Sequence, residues 1–166
     1  MAALTLLTMT GCAPPESLLV GVGEADVVAP EQWDKWGPVL RIPLRLENRG
    51  EATVHVFTDL LQVLGENGSR GTVREFRDLY RIQHARTPAG ERGRIESVLA
   101  VVGIQEDQMR ELTMSQIPVL PGQTLQRTLP FLLKGGKADI RYSLDFASHD
   151  DATDRITRLN LSVTVK

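Results

Sequence analysis

One cysteine, Cys12, is all the thiol that this 166-residue chain carries. An intramolecular disulfide is therefore excluded, and so is a zinc site built on several thiolates. Aromatic residues make up only 5%, so any core must rest mainly on aliphatic side chains. A formal net charge of -2 leaves no basic surplus to draw in nucleic acid. No apolar run reaches the roughly 20 residues that a membrane-spanning helix needs. The three histidines, His55, His84 and His149, form no His-Glu-x-x-His pair, and no serine sits in a nucleophile elbow. With no acid, base and nucleophile converging, the expectation is a non-enzymatic protein without a cofactor or a metal.

What is present belongs to an ordinary folded domain. A hydrophobic fraction of 42% beside 24% charged residues is globular rather than disordered composition. The length suits one domain with a real core. No internal repeat or low-complexity tract interrupts it.

The N-terminus reads differently. Residues 1–11 carry no charge, and Leu4, Leu6, Leu7 and Met9 give them an apolar core. Too short to span a bilayer, this stretch fits the apolar part of an export signal, to be set aside from fold reasoning. Cys12 could by itself be a nucleophile, a buried hydrophobe or a lipid attachment point. Its context, Met9-Thr10-Gly11-Cys12, resembles the bacterial lipobox, with Met9 standing where Leu is usual. That resemblance implies cleavage before Cys12 and acyl chains on it. Several chains, at about 0.8 kcal/mol per buried methylene, hold a protein firmly to a membrane. Ala13, rather than Asp, following the cysteine implies the periplasmic face of the outer membrane in a Gram-negative cell. The expected division is a signal over 1–11, a lipidated Cys12 and Pro-containing tether over 12–17, and a folded domain over 18–166.

Within that domain, apolar and polar residues alternate with the period of half-buried strands. Ile42, Leu44 and Leu46 alternate with Arg41, Pro43, Arg45 and Glu47. Pro43 cannot donate to a ladder, so its strand is expected at an edge, or Pro43 at a non-pairing position. Further strands are expected over 18–28, over 53–64 and from Thr124 to Phe131. Ile140, Tyr142, Leu144 and Phe146 alternate in one more, and Leu159, Leu161, Val163 and Val165 in the last. Turns fall at Asn48-Arg49-Gly50, Gly65-Glu66-Asn67-Gly68, Pro121-Gly122 and Lys134-Gly135-Gly136-Lys137. The expectation is an all-β antiparallel sandwich, polar outside and apolar within.

The stretch 73–116 breaks this rhythm. Val73, Phe76, Tyr80 and Gln83 share a helical face, although Phe76, Tyr80 and Ile82 also permit a strand. Ile95, Val98, Leu99, Val102, Met109 and Leu112 are spaced for an amphipathic helix, with Gly103 as an unfavourable interior residue. We read the segment as a partly helical insertion. Around it, the order of signals resembles secreted immunoglobulin-like domains of the immunoprotective-antigen type. Water-stress domains of the late-embryogenesis-abundant type look similar. The carrying residues are Asn48-Arg49-Gly50, then Leu64 to Gly68, then Leu120-Pro121-Gly122-Gln123-Thr124 leading to Phe131. The resemblance implies an immunoglobulin-like sandwich and no shared catalytic residue.

Two surfaces stand out as candidates for partner binding. Arg70, Arg74, Arg77 and Arg81 would align as one guanidinium stripe on a helix, able to grip phosphate or acidic groups, or would form a solvated face. Trp33 and Trp36 share a loop that could contact a partner or cap the sandwich. His149-Asp150-Asp151 with Asp154 crowds imidazole and carboxylates, without the spacing of a calcium loop. A solvated acidic turn is the reading taken. The functional expectation is an anchored domain that binds an envelope protein or component. The alternative, a small-ligand or stress-protective domain, requires an apolar cavity between the sheets.

Overall fold

The computed structural model describes residues 17–29, 37–91, 99–135 and 138–166. Cys12, Trp33 and Trp36 lie outside the described residues, and with them the signal, lipid and Trp-loop expectations. Ten antiparallel strands form one continuous hydrogen-bonded sheet among those described. In chain order they are β1 (Leu18–Val22), β2 (Asp26–Val28), β3 (Val39–Asn48), β4 (Val54–Phe57), β5 (Gln62–Gly65) and β6 (Arg70–Thr72). Helices α1 (Val73–Arg86) and α2 (Glu106–Thr113) follow, then β7 (Gln116–Val119), β8 (Thr124–Lys134), β9 (Arg141–Asp150) and β10 (Arg155–Thr164).

Two strand groups make the sandwich. In one, β3 lies between β8 and the successive β1 and β2; in the other, β9 lies between β10 and the successive β4 and β5. The short β6 joins them, since it pairs with both β5 and β8. On the opposite side the chain closes through Ala25, whose N–H donates to Thr164 and whose carbonyl accepts from Lys166. The fold is an all-β, sandwich-like domain with its two flanks tied by hydrogen bonds.

Period two explains the core. Leu40, Ile42 and Leu46 face Phe131, Leu129 and Leu125 across the β3–β8 ladder. Leu144 and Phe146 stand opposite Leu161 and Leu159 across β9–β10. Phe76 of α1 joins the same buried cluster as these strands. Burying each such side chain contributes about 1.5–3 kcal/mol.

Several strand expectations need correction. The stretch 18–28 is two strands, because the chain turns at Gly23–Ala25 to reach β10. β3 is an interior strand, so of the two expectations the edge fails and the non-pairing position of Pro43 holds. Gly23 N–H donates to the Pro43 carbonyl, so Pro43's missing donor points to the same side, into the gap between β1 and β2. The expected 53–64 strand is interrupted by a 3-10 turn, Thr58–Leu60. Ile140 lies outside β9 and is 71% exposed, so the core alternation there starts at Tyr142. In β8 the alternation gives way to an unbroken buried run from Leu129 to Leu133, because α1 packs against that strand and covers its second face.

Among its described residues the insertion is partly helical, as expected, but differently divided; Ile95 and Val98 of the expected amphipathic helix lie outside the described residues. Thr72 caps α1: its hydroxyl accepts from Glu75 N–H at 3.0 Å and lies 3.2 Å from the Glu75 carboxylate. The helical residues 99–102 are closed by Gly103 at φ +74°. Gly103 N–H donates to Ala100 and Ile104 N–H to Leu99, a Schellman termination rather than the interior of one long helix. α2 then starts afresh and buries Met109 and Leu112. At Gly103 a side chain would be strained by the positive φ and would sit 3.2 Å from the Arg41 guanidinium. Gly103→Ala is expected to cost about 1–2 kcal/mol in urea unfolding, the usual penalty of a left-handed non-glycine residue.

Candidate functional site

Three arginines fasten the insertion to the sheet. Arg41 on β3 makes a two-nitrogen pair with Asp26 on β2 and donates to the Val102 carbonyl at 3.3 Å. Arg127 on β8 forks onto both oxygens of Glu111 on α2, each at 2.7 Å. The guanidinium groups of Arg41 and Arg127 are both held above their ordinary values, first by these hydrogen bonds and further by the partner's charge, against some burial. Arg77 on α1 is the third. Its side chain is only 6% exposed, and it donates to Asp59, to Ser115 Oγ at 2.7 Å and to Asp78 at 3.0–3.1 Å.

This placement undoes the four-arginine helical stripe. Arg70 belongs to β6, ahead of the helix, where it pairs in register with Lys134 of β8. Arg77 points inward as a structural tie. Arg74 stays 65% exposed, with Asp78 at 3.6 Å, and Arg81 donates from an exposed position to the Thr113 carbonyl at 2.9 Å. The exposed basic groups near the start of α1 are thus Arg70, Arg74 and Lys134, the last paired with Glu75 at 2.6 Å.

Ten residues of β9 separate two ends of the domain by roughly 30 Å. At the end where β9 begins lie the Gly65–Ser69 turn and the buried Asp139, while α1 starts level with Asp145 in the middle of β9, since Thr72 is opposite Gln62 and Gln62 opposite Asp145. At the other end, Ser17 is pinned. Its hydroxyl donates to Asp150 at 2.5 Å, and its carbonyl accepts from Arg49 N–H at 2.7 Å. That hydroxyl is the main reason the Asp150 carboxyl sits below its ordinary range. Neither link was legible from the sequence, since Ser17 and Asp150 are 133 residues apart.

The sheet register also assembles a cluster that the sequence shows only as separate residues. His55 of β4 is directly opposite His149 of β9, with ring centroids 6.5 Å apart. Asp151 lies between them, 3.1 Å from His55 Nε2 and 3.4 Å from His149 Nδ1. Asp154 takes the other face, 2.8 Å from His149 Nε2. His84 is remote from this group, in the last turn of α1 and stacked near Tyr80. Among the described residues, no group of three or more His, Cys, Asp or Glu side chains is arranged to hold a metal ion.

Clefts among the described residues lie at the sheet surface and beside α2. One of about 460 Å³ is walled by Gly23, Pro43, Arg45, Gln108 and Arg127. Another, of about 580 Å³, lies along Leu64, Glu66, Arg141 and Ser162, and a third, of about 270 Å³, along Leu60, Asp145, Arg158 and Asn160. No helix among the described residues is long and apolar enough to cross a membrane.

The fold defines the chain as an all-β, sandwich-like domain carrying a clamped helical insertion. No protein-family model and no curated protein matches it in sequence. Among solved structures it is similar to a FixG-related protein from Vibrio parahaemolyticus, at 13% identity and a TM-score of 0.39, covering 91% of this chain and 98% of that one. It is likewise similar to the ApaA protein from Bordetella pertussis, at 14% identity and a TM-score of 0.38, covering 89% and 93%. Both are bacterial proteins, and neither likeness extends to function.

Proposed function

We propose that the chain is a lipid-anchored, non-enzymatic envelope domain that binds a protein or envelope component. In this reading Cys12 carries the acyl chains, and the domain stands on the periplasmic face of the outer membrane. The observation that supports it best is the pinning of Ser17 at one end of the sandwich. Five residues span at most about 17 Å, so a lipid on Cys12 would set the Asp150 end against the membrane. Arg70, opposite Leu64 and through it level with Ser143, would then stand seven β9 residues, roughly 23 Å, further out, with Arg74 following on the first turn of α1. Guanidinium groups so presented suit phosphate or carboxylate groups on a partner.

Fractionation of cells making the wild-type chain or Cys12→Ser tests the anchor. Wild type is expected in the membrane fraction, with a mature mass that shows cleavage before Cys12 and added acyl groups. Cys12→Ser is expected to lose membrane association. An unmodified Cys12 on a chain retaining Met1, found in the soluble fraction, overturns the reading. The binding half is tested by capture from envelope extracts with Arg70→Glu/Arg74→Glu as the comparison. A partner held equally by both chains removes the arginines from it.

A further inference from the structure

We propose that the β9–β10 turn is an acid-set catch for the N-terminal segment: protonated His149 grips Asp151 and Asp154 and so fixes the turn whose Asp150 holds Ser17. Geometry carries this. Both ring nitrogens of His149 face carboxylates, Nδ1 toward Asp151 at 3.4 Å and Nε2 toward Asp154 at 2.8 Å. A neutral imidazole has one N–H and one lone pair, so it can satisfy only one of two such acceptors; imidazolium, with two N–H groups, satisfies both. The turn is otherwise held by Asp151 N–H, which donates to the Thr53 carbonyl at 3.1 Å, and by Asp150, whose carbonyl accepts from Asp154 N–H and whose carboxylate accepts from Ala152 N–H and from Ser17. Drawing Asp151 and Asp154 onto one ring therefore holds the segment that presents Asp150.

The groups around His149 are few. β4 contributes His55, which shares Asp151, and Phe57, whose ring centroid is 6.3 Å away. The turn contributes Asp150, Asp151 and Asp154, and β10 contributes Ile156 opposite His149 and Arg155 opposite Asp150. β7 places the uncharged Pro118 beside His55.

The hydrogen bond to Asp154 holds the His149 imidazole above its ordinary value, aided by the charges of Asp154 and Asp151 and opposed by desolvation. Its contribution is complete below the unfolded value of about 6.5 and is lost as pH rises through the folded value. Asp150 runs the other way. Its carboxyl is lowered, first by Ser17, so its contribution is present above about pH 4 and is lost only as pH falls through the folded value. Between about pH 4 and 6.5 both act together.

The consequence for a tether rests on the anchored reading; the turn's response to acid does not, so the two can fail separately. The test is amide exchange of the full-length chain at about pH 5.5 and about pH 8, on either side of the ordinary imidazole value, corrected for intrinsic rates. Residues 150–155 are expected to be about twofold to fivefold more protected at the lower pH, the range that an exposed ion pair allows. Ser17 is expected to follow them. In His149→Gln the difference should vanish. Should that variant fail to fold, Asp154→Asn alters a side chain that is 95% exposed and serves the same comparison. Equal protection at both pH values in wild type, or a pH difference that survives in either variant, overturns the proposal.

Discussion

Replacing Arg77 with alanine lowers the unfolding free energy by about 3 kcal/mol or more, read as a fall in the urea midpoint with an unchanged slope. The size follows from what the guanidinium joins. Asp59 sits in the 3-10 turn between β4 and β5, Ser115 in the turn between α2 and β7, and Asp78 on α1 itself. Removing the side chain, itself 6% exposed, opens a void beneath α1 and takes the cation away from Ser115 Oγ and from Asp59, which is one-third exposed. Arg77→Lys keeps the charge but not the fork, since a single ammonium cannot reach acceptors fixed in three directions, so it should recover less than half of the loss. Arg74→Ala, one turn earlier on the same helix and exposed, should change stability by no more than about 0.5 kcal/mol. Equal effects from Arg74 and Arg77 would show that Arg77 is not the tie described.

That contrast marks where the sequence stops being legible. Periodicity separates Ile42, Leu44 and Leu46 from their polar neighbours, and the burial along β3 follows it. It likewise sets Val54 and Val56 inward and His55 outward. Where one strand face meets solvent, alternation is enforced by water and can be read directly. Where a helix covers the second face, as over Leu129 to Leu133, the pattern disappears. The interruption of 53–64 carries neither Gly nor Pro, so Thr58–Leu60 offered no turn signal. Thr72 and Glu75 did offer one: a hydroxyl three residues before a glutamate, ahead of an apolar face, marks a helix start and would have placed Arg70 outside α1. Inside a helix Gly103 would be a cost, whereas its positive φ makes it a terminator. The inward turn of Arg77 and the meeting of His55 with His149 depend on partners 18 and 94 positions away, set by strand register. Spacing within one segment does not encode them. For the same reason the arginines looked like a surface stripe when one of them is interior.

Gly65→Ala is expected to be as damaging as the loss of Arg77, although it adds one methyl group at an ordinary strand φ. A Cβ at Gly65 would sit 1.9 Å from Asp139 Oδ2 and 2.6 Å from its Cγ. Asp139 cannot retreat cheaply. Its side chain is buried and accepts from Asn67 N–H at 3.1 Å, Asn67 Nδ2 at 2.6 Å and Ser69 N–H at 3.2 Å. Its own N–H donates to Tyr142 Oη at 2.8 Å, and that hydroxyl is 3.1 Å from Ser69 Oγ. One carboxylate and one phenol thus satisfy the backbone of the Gly65–Ser69 turn and join it to the start of β9. Expelling the carboxylate orphans buried donors, each at about 1–3 kcal/mol, so Gly65→Ala and Asp139→Ala should each cost about 3 kcal/mol in urea unfolding. The decisive measurement is the double variant. With Asp139 already alanine, the space beside Gly65 is open and the donors are already orphaned, so adding Gly65→Ala should cost less than half of what it costs alone. Additive losses would mean that the methyl group acts elsewhere, and the glycine would then have no need of the space that Asp139 fills.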